Sequence, residues 1–145
     1  MKNIFNHTLL LIIFLLVTAA APLKDDSVGI NFFEGTWQEA LQKSTAENKL
    51  IFLDLSTSWC GWCKKMRQST YTDNKVGAYF NSRFINVKLD GEHGEGERLA
   101  KKLGVTGYPS LFLIDKNEIA VLSSEGYQNA EGLIKLIKTA LKEKK

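Results

Sequence analysis

The only two cysteines of the chain, Cys60 and Cys63, lie three positions apart and follow closely on an apolar run at residues 50–55. A disulfide between them closes almost no chain, so it removes little entropy from the unfolded state. Exported domains that depend on disulfides for stability carry several cysteines that are well separated in sequence. The spacing therefore indicates a redox-active pair, in a fold that places both sulfurs on one turn.

The N-terminus has the pattern of a secretory signal peptide. Lys2 supplies a positive start, an uninterrupted apolar run covers residues 9–17, and small residues follow at 18–21. The apolar run is shorter than the roughly 20 residues that span a bilayer as a helix. We therefore expect cleavage near residues 19–21 and no stable membrane span in the mature protein. An uncleaved anchor is the alternative.

Length and composition suit one globular domain. The 145 residues are 44% hydrophobic and 24% charged, and the formal net charge of +3 owes much to a lysine-rich C-terminus. No basic stripe is interleaved with aromatic residues, so no nucleic-acid partner is expected. We expect a signal peptide at residues 1–21, a linker with a candidate first strand at 22–35 (the strand at 30–33), and a folded domain at 36–145.

Hydrophobic periodicity and capping residues predict alternating helices and strands. Thr36 and Glu39 have the spacing of a capping box for a helix that ends near residue 47. The apolar run at 50–55 predicts a buried strand, whereas alternation at 84–89 predicts a strand with one covered face. We also expect a helix that opens at the cysteines and a short helix after Asp73. A loop at 91–96 should lead into a helix from about 97. Residues 111–114 and 119–122 should form a hairpin, and Asn129 should cap the last helix. This order predicts an α/β fold, a sheet covered by helices on both faces.

The position of the cysteine pair at a helix start suits thiol–disulfide exchange. The thiolate is the nucleophile, and free amides at a helix N-terminus stabilise its charge. We assign Cys60, at the exposed end, as the attacking nucleophile and Cys63, one turn further in, as the residue that resolves the mixed disulfide. Gly61 lets another backbone approach closely, and Trp59 and Trp62 offer apolar surface, so these three are candidate substrate-binding residues.

Residues 50–65, with the segment GYPS at 107–110 and the hairpin after it, resemble the thioredoxin superfamily. The segment WCGWCKKM, followed by Thr-Tyr at 70–71, is more similar to exported thioredoxin-like proteins related to the C-terminal domain of the DsbD reductase. Cytosolic thioredoxins typically have proline where Trp62 stands. The resemblance runs from about residue 36 to the C-terminus and implies a thioredoxin-like fold, with a central mixed β-sheet flanked by helices on both faces.

The resemblance also gives a role to Asp54, which stands where family members keep a buried acid that helps to move the proton of the second cysteine. Burial raises the pKa of such a carboxyl group, which suits a general base for Cys63. A solvent-facing Asp at a strand end is the alternative. Many thioredoxins place a lysine near this acid, where our alignment puts Asn86, with Lys88 two residues later. The partner of Asp54 therefore stays open.

Pro109 is one of only two prolines in the chain. A proline before a strand is usually trans, since only about 5–6% of such bonds are cis in folded proteins. The resemblance implies the opposite here: a cis bond before Pro109, which would lie against the cysteine pair. It also implies that the backbone of Tyr108 pairs with an extended substrate.

Other ligand chemistry finds little support in the sequence. A zinc site needs about four ligands, and beyond the two cysteines only His93 remains as a candidate in the mature chain. Haem attachment needs a histidine directly after the second cysteine, where Lys64 stands. We expect no metal, and thiol–disulfide exchange requires no small-molecule cofactor.

These features together predict an exported enzyme that reduces or exchanges disulfides in other exported proteins through its CGWC pair. Its electrons would come from a membrane-bound or exported redox partner, which is an implication of the resemblance. The alternatives are a disulfide oxidase or isomerase and, in a different class, a redox-inactive protein-binding module. The periplasm is the expected compartment, with secretion or membrane anchorage as alternatives.

Overall fold

Helices and strands alternate along residues 28–143, which are the residues that the computed structural model describes. The predicted signal peptide lies outside them. The helices are α1 (Trp37–Glu47), α2 (Gly61–Lys65), α3 (Asn74–Arg83), α4 (Gly94–Leu103) and α5 (Ala130–Glu143), and the strands are β1 (Leu50–Ser56), β2 (Phe84–Asp90), β3 (Ser110–Ile114) and β4 (Ala120–Glu125). A π-helical turn at Met66–Thr70 continues α2. Within the described range, no helix has the length and apolar character needed to cross a membrane.

The four strands form one mixed sheet in the order β2-β1-β3-β4. β1 and β2 are parallel, whereas β3 runs antiparallel to both β1 and β4. The carboxyl ends of β1, β2 and β4 therefore meet the amino end of β3 at one edge, which we call the site edge. The predicted α/β class with a mixed sheet is confirmed.

Helices cover both faces of this sheet because β1 is apolar on both faces. On one face, Ile51, Leu53 and Leu55 pack with buried residues of α1 and α4. On the other, Phe52 packs with buried residues of the π turn, α3 and α5. Phe52 and Phe80 meet edge to face, with ring centroids 4.7 Å apart. Two apolar layers thus hold the sheet and fix its site edge.

Polar side chains cap the N-termini of three helices at the positions predicted from the sequence. Thr36 and Glu39 form the capping box of α1, with Glu39 N donating to Thr36 Oγ1 at 3.2 Å and Thr36 N donating to Glu39 Oε2 at 2.8 Å. Asp73 Oδ1 accepts from two amides at the start of α3. Asn129 Oδ1 accepts from Gly132 N at 2.8 Å at the start of α5. Each cap satisfies amides that the helix itself leaves free.

The candidate first strand at residues 30–33 does not join the sheet as a strand. This segment crosses the start of β2, where Phe33 N donates to Asn86 O at 2.7 Å and Asn86 Nδ2 donates to Asn31 O at 3.2 Å. The first four residues of β2 are consequently all buried, which the alternation of the sequence did not predict. These residues of β2 are buried because a segment that is distant in sequence covers them.

Helix α4 begins at Gly94, inside the segment that the sequence predicted as a loop. Glycine disfavours helix by about 1 kcal/mol relative to alanine, which is why local propensity misplaced the start. Packing explains the glycine at position 96: a Cβ there would lie 2.0 Å from Asp90 O. The helix therefore starts against the end of β2, where a side chain does not fit.

Candidate active site

Cys60 and Cys63 form a disulfide at the site edge, where β1 leads into α2. Cys60 is the N-cap residue of α2, and its Sγ accepts a hydrogen bond from Cys63 N at 3.1 Å. The Cα atoms of the pair are 5.3 Å apart, as one helical turn requires. The same amide would face the Cys60 thiolate after reduction, and such donors favour the charged form of a thiol.

Both cysteines are buried in the disulfide form, with Cys60 5% exposed and Cys63 2% exposed. Gly61 is exposed, and a Cβ built on it would meet no heavy atom within 4 Å. Open space therefore lies beside Cys60, which fits the close approach of another backbone.

The loop before β3 brings Pro109 to the same edge. The Tyr108–Pro109 bond is cis, as the resemblance implied. Ser110 pairs with Leu55 near the end of β1, which places the buried Pro109 beside the strand that leads to the cysteines. Gly126 N donates to Pro109 O at 2.8 Å, so the loop after β4 holds this loop in place.

Two aromatic pairs flank Cys60. Trp59 is 68% exposed and meets Tyr108 edge to face with ring centroids 6.1 Å apart, and its Nε1 donates to Glu92 Oε2 at 3.0 Å. Trp62 is 56% exposed and lies against Tyr127 with ring centroids 5.2 Å apart. Exposed tryptophans that are held in place are suited to contact a partner protein.

Asp54 lies within β1 and is only 1% exposed, so the alternative of a solvent-facing carboxylate is wrong. Burial raises the pKa of Asp54 to about 6, against the opposing effects of the Tyr71 hydroxyl and the charges of Lys88 and Arg67. Among the described residues, neither Asp54 Oδ1 nor Tyr71 Oη forms a hydrogen bond of normal geometry, and burial has the largest effect on this pKa. The carboxyl group can thus change its charge near neutral pH.

The register of the sheet decides the cross-strand partner of Asp54. Asp54 lies opposite Lys88, whereas Asn86 lies opposite Phe52. Asn86 donates instead to Asn31 O and to Asn81 Oδ1, both at 3.2 Å. The alignment that put Asn86 beside the acid is therefore wrong, because strand register depends on pairing between strands and not on position counted from a motif.

Known proteins that resemble this chain have a thioredoxin-like fold. A family model named Thioredox_DsbH, described as a protein of unknown function (DUF255), matches residues 25–96. A provisionally named disulphide-isomerase from Bacteroides thetaiotaomicron has a solution structure with a TM-score of 0.71 and 40% sequence identity, covering 80% of this chain and 96% of that one. The chain belongs to the thioredoxin superfamily.

Relatives within the superfamily extend this result. The thiol:disulfide interchange protein DsbD of Tatumella citrea is 29% identical over 130 residues, which are 79% of this chain but only 22% of that protein. The oxidised C-terminal domain of Neisseria meningitidis DsbD shares the fold, with a TM-score of 0.62 and 23% identity over 76% of this chain and 99% of that one. This chain therefore spans about a fifth of the length of the DsbD relative, and it carries its CGWC disulfide at the site edge of a thioredoxin-like fold.

Several residues around the candidate site were not predicted from the sequence. Tyr127 and Glu92 hold the two tryptophans, and Tyr71 and Arg67 influence the pKa of Asp54. All four lie in loops or turns whose position depends on the tertiary fold. A tyrosine directly after a glycine in the turn following β4 was the one local signal that could have pointed to Tyr127.

Proposed function

We propose that this chain is an exported protein-disulfide reductase, which reduces or exchanges disulfides in other exported proteins. The observation that best supports this proposal is the position of Cys60 at the start of α2. Its Sγ faces the Cys63 amide, and Pro109 lies at the same edge. This arrangement supports a nucleophilic sulfur that a partner can reach, with a second sulfur one turn behind it.

The proposed reaction begins with the reduced dithiol. The Cys60 thiolate attacks one sulfur of a substrate disulfide, forms a mixed disulfide, and releases the first substrate thiolate. Cys63 then attacks Cys60 Sγ, which restores the Cys60–Cys63 disulfide and releases the second substrate thiolate. Two electrons pass from the dithiol to the substrate, and a dithiol redox partner must return two electrons for the next cycle.

Asp54 is proposed as the group that accepts the proton of Cys63 before the second step. A carboxylate with a pKa of about 6 is a far stronger base than an ordinary aspartate with a pKa of 3.8. Its buried position on the strand that leads to the cysteines keeps water from competing for this proton. Trp59, Gly61, Trp62, Tyr108 and Pro109 are proposed to contact the substrate around Cys60.

Export and the source of electrons belong to the same proposal. The signal pattern at residues 1–21 supports export, and the periplasm is favoured because a membrane-bound or exported redox partner could deliver electrons there. The DsbD relatives are named thiol:disulfide interchange proteins, which supports a role in passing electrons between dithiols. Secretion and membrane anchorage are the alternative locations.

A disulfide isomerase is the second candidate, favoured by the name of the 40% identical Bacteroides protein. The reduction potential separates the candidates, since it is about −270 mV for thioredoxin, about −180 mV for protein disulfide isomerase and about −120 mV for a strong oxidant of this fold. Equilibration of residues 22–145 with glutathione buffers should give a value near the reducing end. A value of about −180 mV would favour the isomerase and one of about −120 mV an oxidase, and either would exclude the reductase assignment.

The roles of the two sulfurs are tested with single variants. Cys63→Ala should accumulate mixed disulfides with substrate proteins, visible as bands on non-reducing gels that disappear on reduction. Cys60→Ser should abolish both the bands and the reduction of an insulin disulfide. If the reduced wild-type protein were as inactive towards insulin as Cys60→Ser and Cys63→Ala trapped no substrate, the protein would be a redox-inactive binding module instead.

A further inference from the structure

The charged side chains beside the two aromatic pairs near Cys60 have opposite signs. We propose that they form two charge-selective subsites that orient the substrate: one accepts a basic residue and the other an acidic residue, on either side of the reacting cysteine. The partner is an extended protein segment with a cysteine between residues of opposite charge. This inference rests on the proposed exchange chemistry at Cys60 and adds the substrate class that the site prefers.

The subsites lie on opposite sides of the cysteine because of the strand order. Trp59 binds Glu92, which follows β2, and Trp62 packs on Tyr127, which follows β4. β2 and β4 are the two outer strands of the sheet, and Cys60 follows the inner strand β1. Three strand spacings of ~4.8 Å separate the outer strands by about 14 Å. This distance is close to the roughly 13 Å that four residue-to-residue steps, from position −2 to position +2, cover in an extended segment.

The subsite beside Trp59 is acidic. Glu92 accepts the Trp59 indole hydrogen bond, and Asp90, the last residue of β2, accepts from Glu92 N through its Oδ1 at 2.9 Å. The pKa of Tyr108 is raised by burial and by the charges of Glu92, Asp90 and Glu97, so negative groups surround the ring that Trp59 contacts. Among the described residues, His93 Nδ1 lies 3.0 Å from Asp90 Oδ2 and Lys101 Nζ lies 2.6 Å from Glu97 Oε1, whereas Glu92 forms no ion pair. A lysine or arginine of a partner would be attracted here.

The subsite beside Trp62 is basic. Lys65 Nζ lies 5.2 Å from the Trp62 ring centroid and 4.9 Å from that of Tyr127, so both rings hold the ammonium group in place. Among the described residues, Lys65 forms no ion pair with a carboxylate. Its charge therefore stays available to an acidic residue of a partner, next to an apolar surface.

Both subsites are formed before a partner arrives. Thr70 Oγ1 donates to Gln128 O at 2.7 Å and ties the loop that carries Tyr127 to the helix that carries Trp62. On the other side, Tyr108 packs so closely on Gly91 that a Cβ there would lie 2.3 Å from its ring. Fixed charges lose little entropy on binding, so they can select the orientation of a segment.

The test uses two peptides with a central cysteine that carries a thionitrobenzoate leaving group. One has Lys at −2 and Glu at +2, and the other has the reverse order; a third, with alanine at both positions, reports the intrinsic reactivity of Cys60. The reduced Cys63→Ala protein attacks the peptide sulfur, forms Cys60–S–S–peptide, and releases one thionitrobenzoate, which is measured by absorbance. We expect the rates for the two charged peptides to differ about two- to fivefold.

The double variant Lys65→Glu/Glu92→Lys should exchange the order of the two charged peptides, after normalisation to the alanine peptide. Lys65→Gln and Glu92→Gln should each reduce the preference, and 1 M salt should remove it because the Debye length falls to about 3 Å. Equal rates, or an order that the double variant leaves unchanged, would overturn the inference. If no peptide released thionitrobenzoate, the proposed function itself would fail.

Discussion

Asp54 places an ionisable carboxyl group inside an otherwise apolar strand, and this has an energetic cost. Its pKa is about 6 in the folded protein, against 3.8 for an unperturbed aspartate. The folded state therefore binds this proton more tightly than the unfolded state does. Unfolding releases it between about pH 4 and 6, so the contribution of Asp54 to stability falls as the pH rises through this window. A group kept at such a cost is more readily explained by chemistry than by folding.

The variant Asp54→Asn should remove this cost. We expect its free energy of unfolding at pH 8 to exceed that of the wild-type protein by about 1–3 kcal/mol, while exchange with protein disulfides slows. Urea unfolding at pH 5 and pH 8 measures the difference between the two proteins, in which the titration of other groups cancels. A difference that stays constant between these pH values would show that Asp54 does not titrate in this range.

Gly61 offers a second prediction, about access to Cys60. Because a Cβ at this position meets open space, Gly61→Ala should leave the free energy of unfolding unchanged or raise it by up to about 1 kcal/mol. Exchange with protein disulfides should fall about tenfold, because the new methyl group holds a substrate backbone away from the sulfur. A small disulfide such as oxidised glutathione provides the control, and an equal loss for both substrates would contradict the explanation.

The loop between β2 and α4 supports the site through close packing. Gly91 N donates to Ser56 O at 2.9 Å, and the Gly91 Cα lies against the Tyr108 ring. The glycine therefore connects the end of the sheet to the aromatic pair of Trp59 and Tyr108. A loop that looks featureless in the sequence thus determines where an exposed tryptophan stands.

Gly91→Ala should displace the Tyr108 ring and weaken its contact with Trp59. Aromatic pairs contribute about 0.5–1.5 kcal/mol, so exchange with protein disulfides should slow about two- to tenfold while the free energy of unfolding changes little. Stopped-flow measurement of tryptophan fluorescence during exchange gives the rate. Tyr108→Phe keeps the ring and is the matched control; if it slowed the reaction as much, the ring contact would not be the cause.

At the scale of the whole molecule, the segment at residues 28–33 packs across β2 and α3. Ile30 N donates to Tyr71 O at 2.7 Å, so this segment also contacts the end of the π turn next to Asp54. Gly29 and Gly77 meet backbone to backbone, since a Cβ at Gly77 would lie 2.2 Å from Gly29 O. The linker assigned from the sequence is therefore part of the fold on its C-terminal side.

Gly77→Ala should push this segment away from α3 and lower the free energy of unfolding by about 1–3 kcal/mol. Hydrogen exchange at residues 28–33 should become faster. Gly132→Ala is the matched control, because it also adds a helical alanine but meets only side-chain oxygens, at 3.1 Å. Equal stability of the two variants would show that the contact with Gly29 is not essential.

Local sequence patterns were sufficient for most elements of this fold. The capping box at Thr36, the apolar run of β1 and the cap at Asp73 each act through neighbours a few residues away, so they could be read without a structure. The start of α4 could not, because it depends on packing against the end of β2, and the burial of β2 could not, because it depends on a segment that is distant in sequence. Long-range packing overrides propensity at such places.

The sequence by itself determined the redox pair, the class of fold and, through the resemblance, the cis bond before Pro109, because these depend on residue type and short spacing. Tertiary structure alone decided that Lys88 lies opposite Asp54 and that Glu92 and Tyr127 hold the two tryptophans. Strand register and loop contacts join residues tens of positions apart, and no local pattern records which of them will meet. The chemistry of Cys60 follows from its neighbours in the chain, whereas the surface offered to a substrate follows from its neighbours in space.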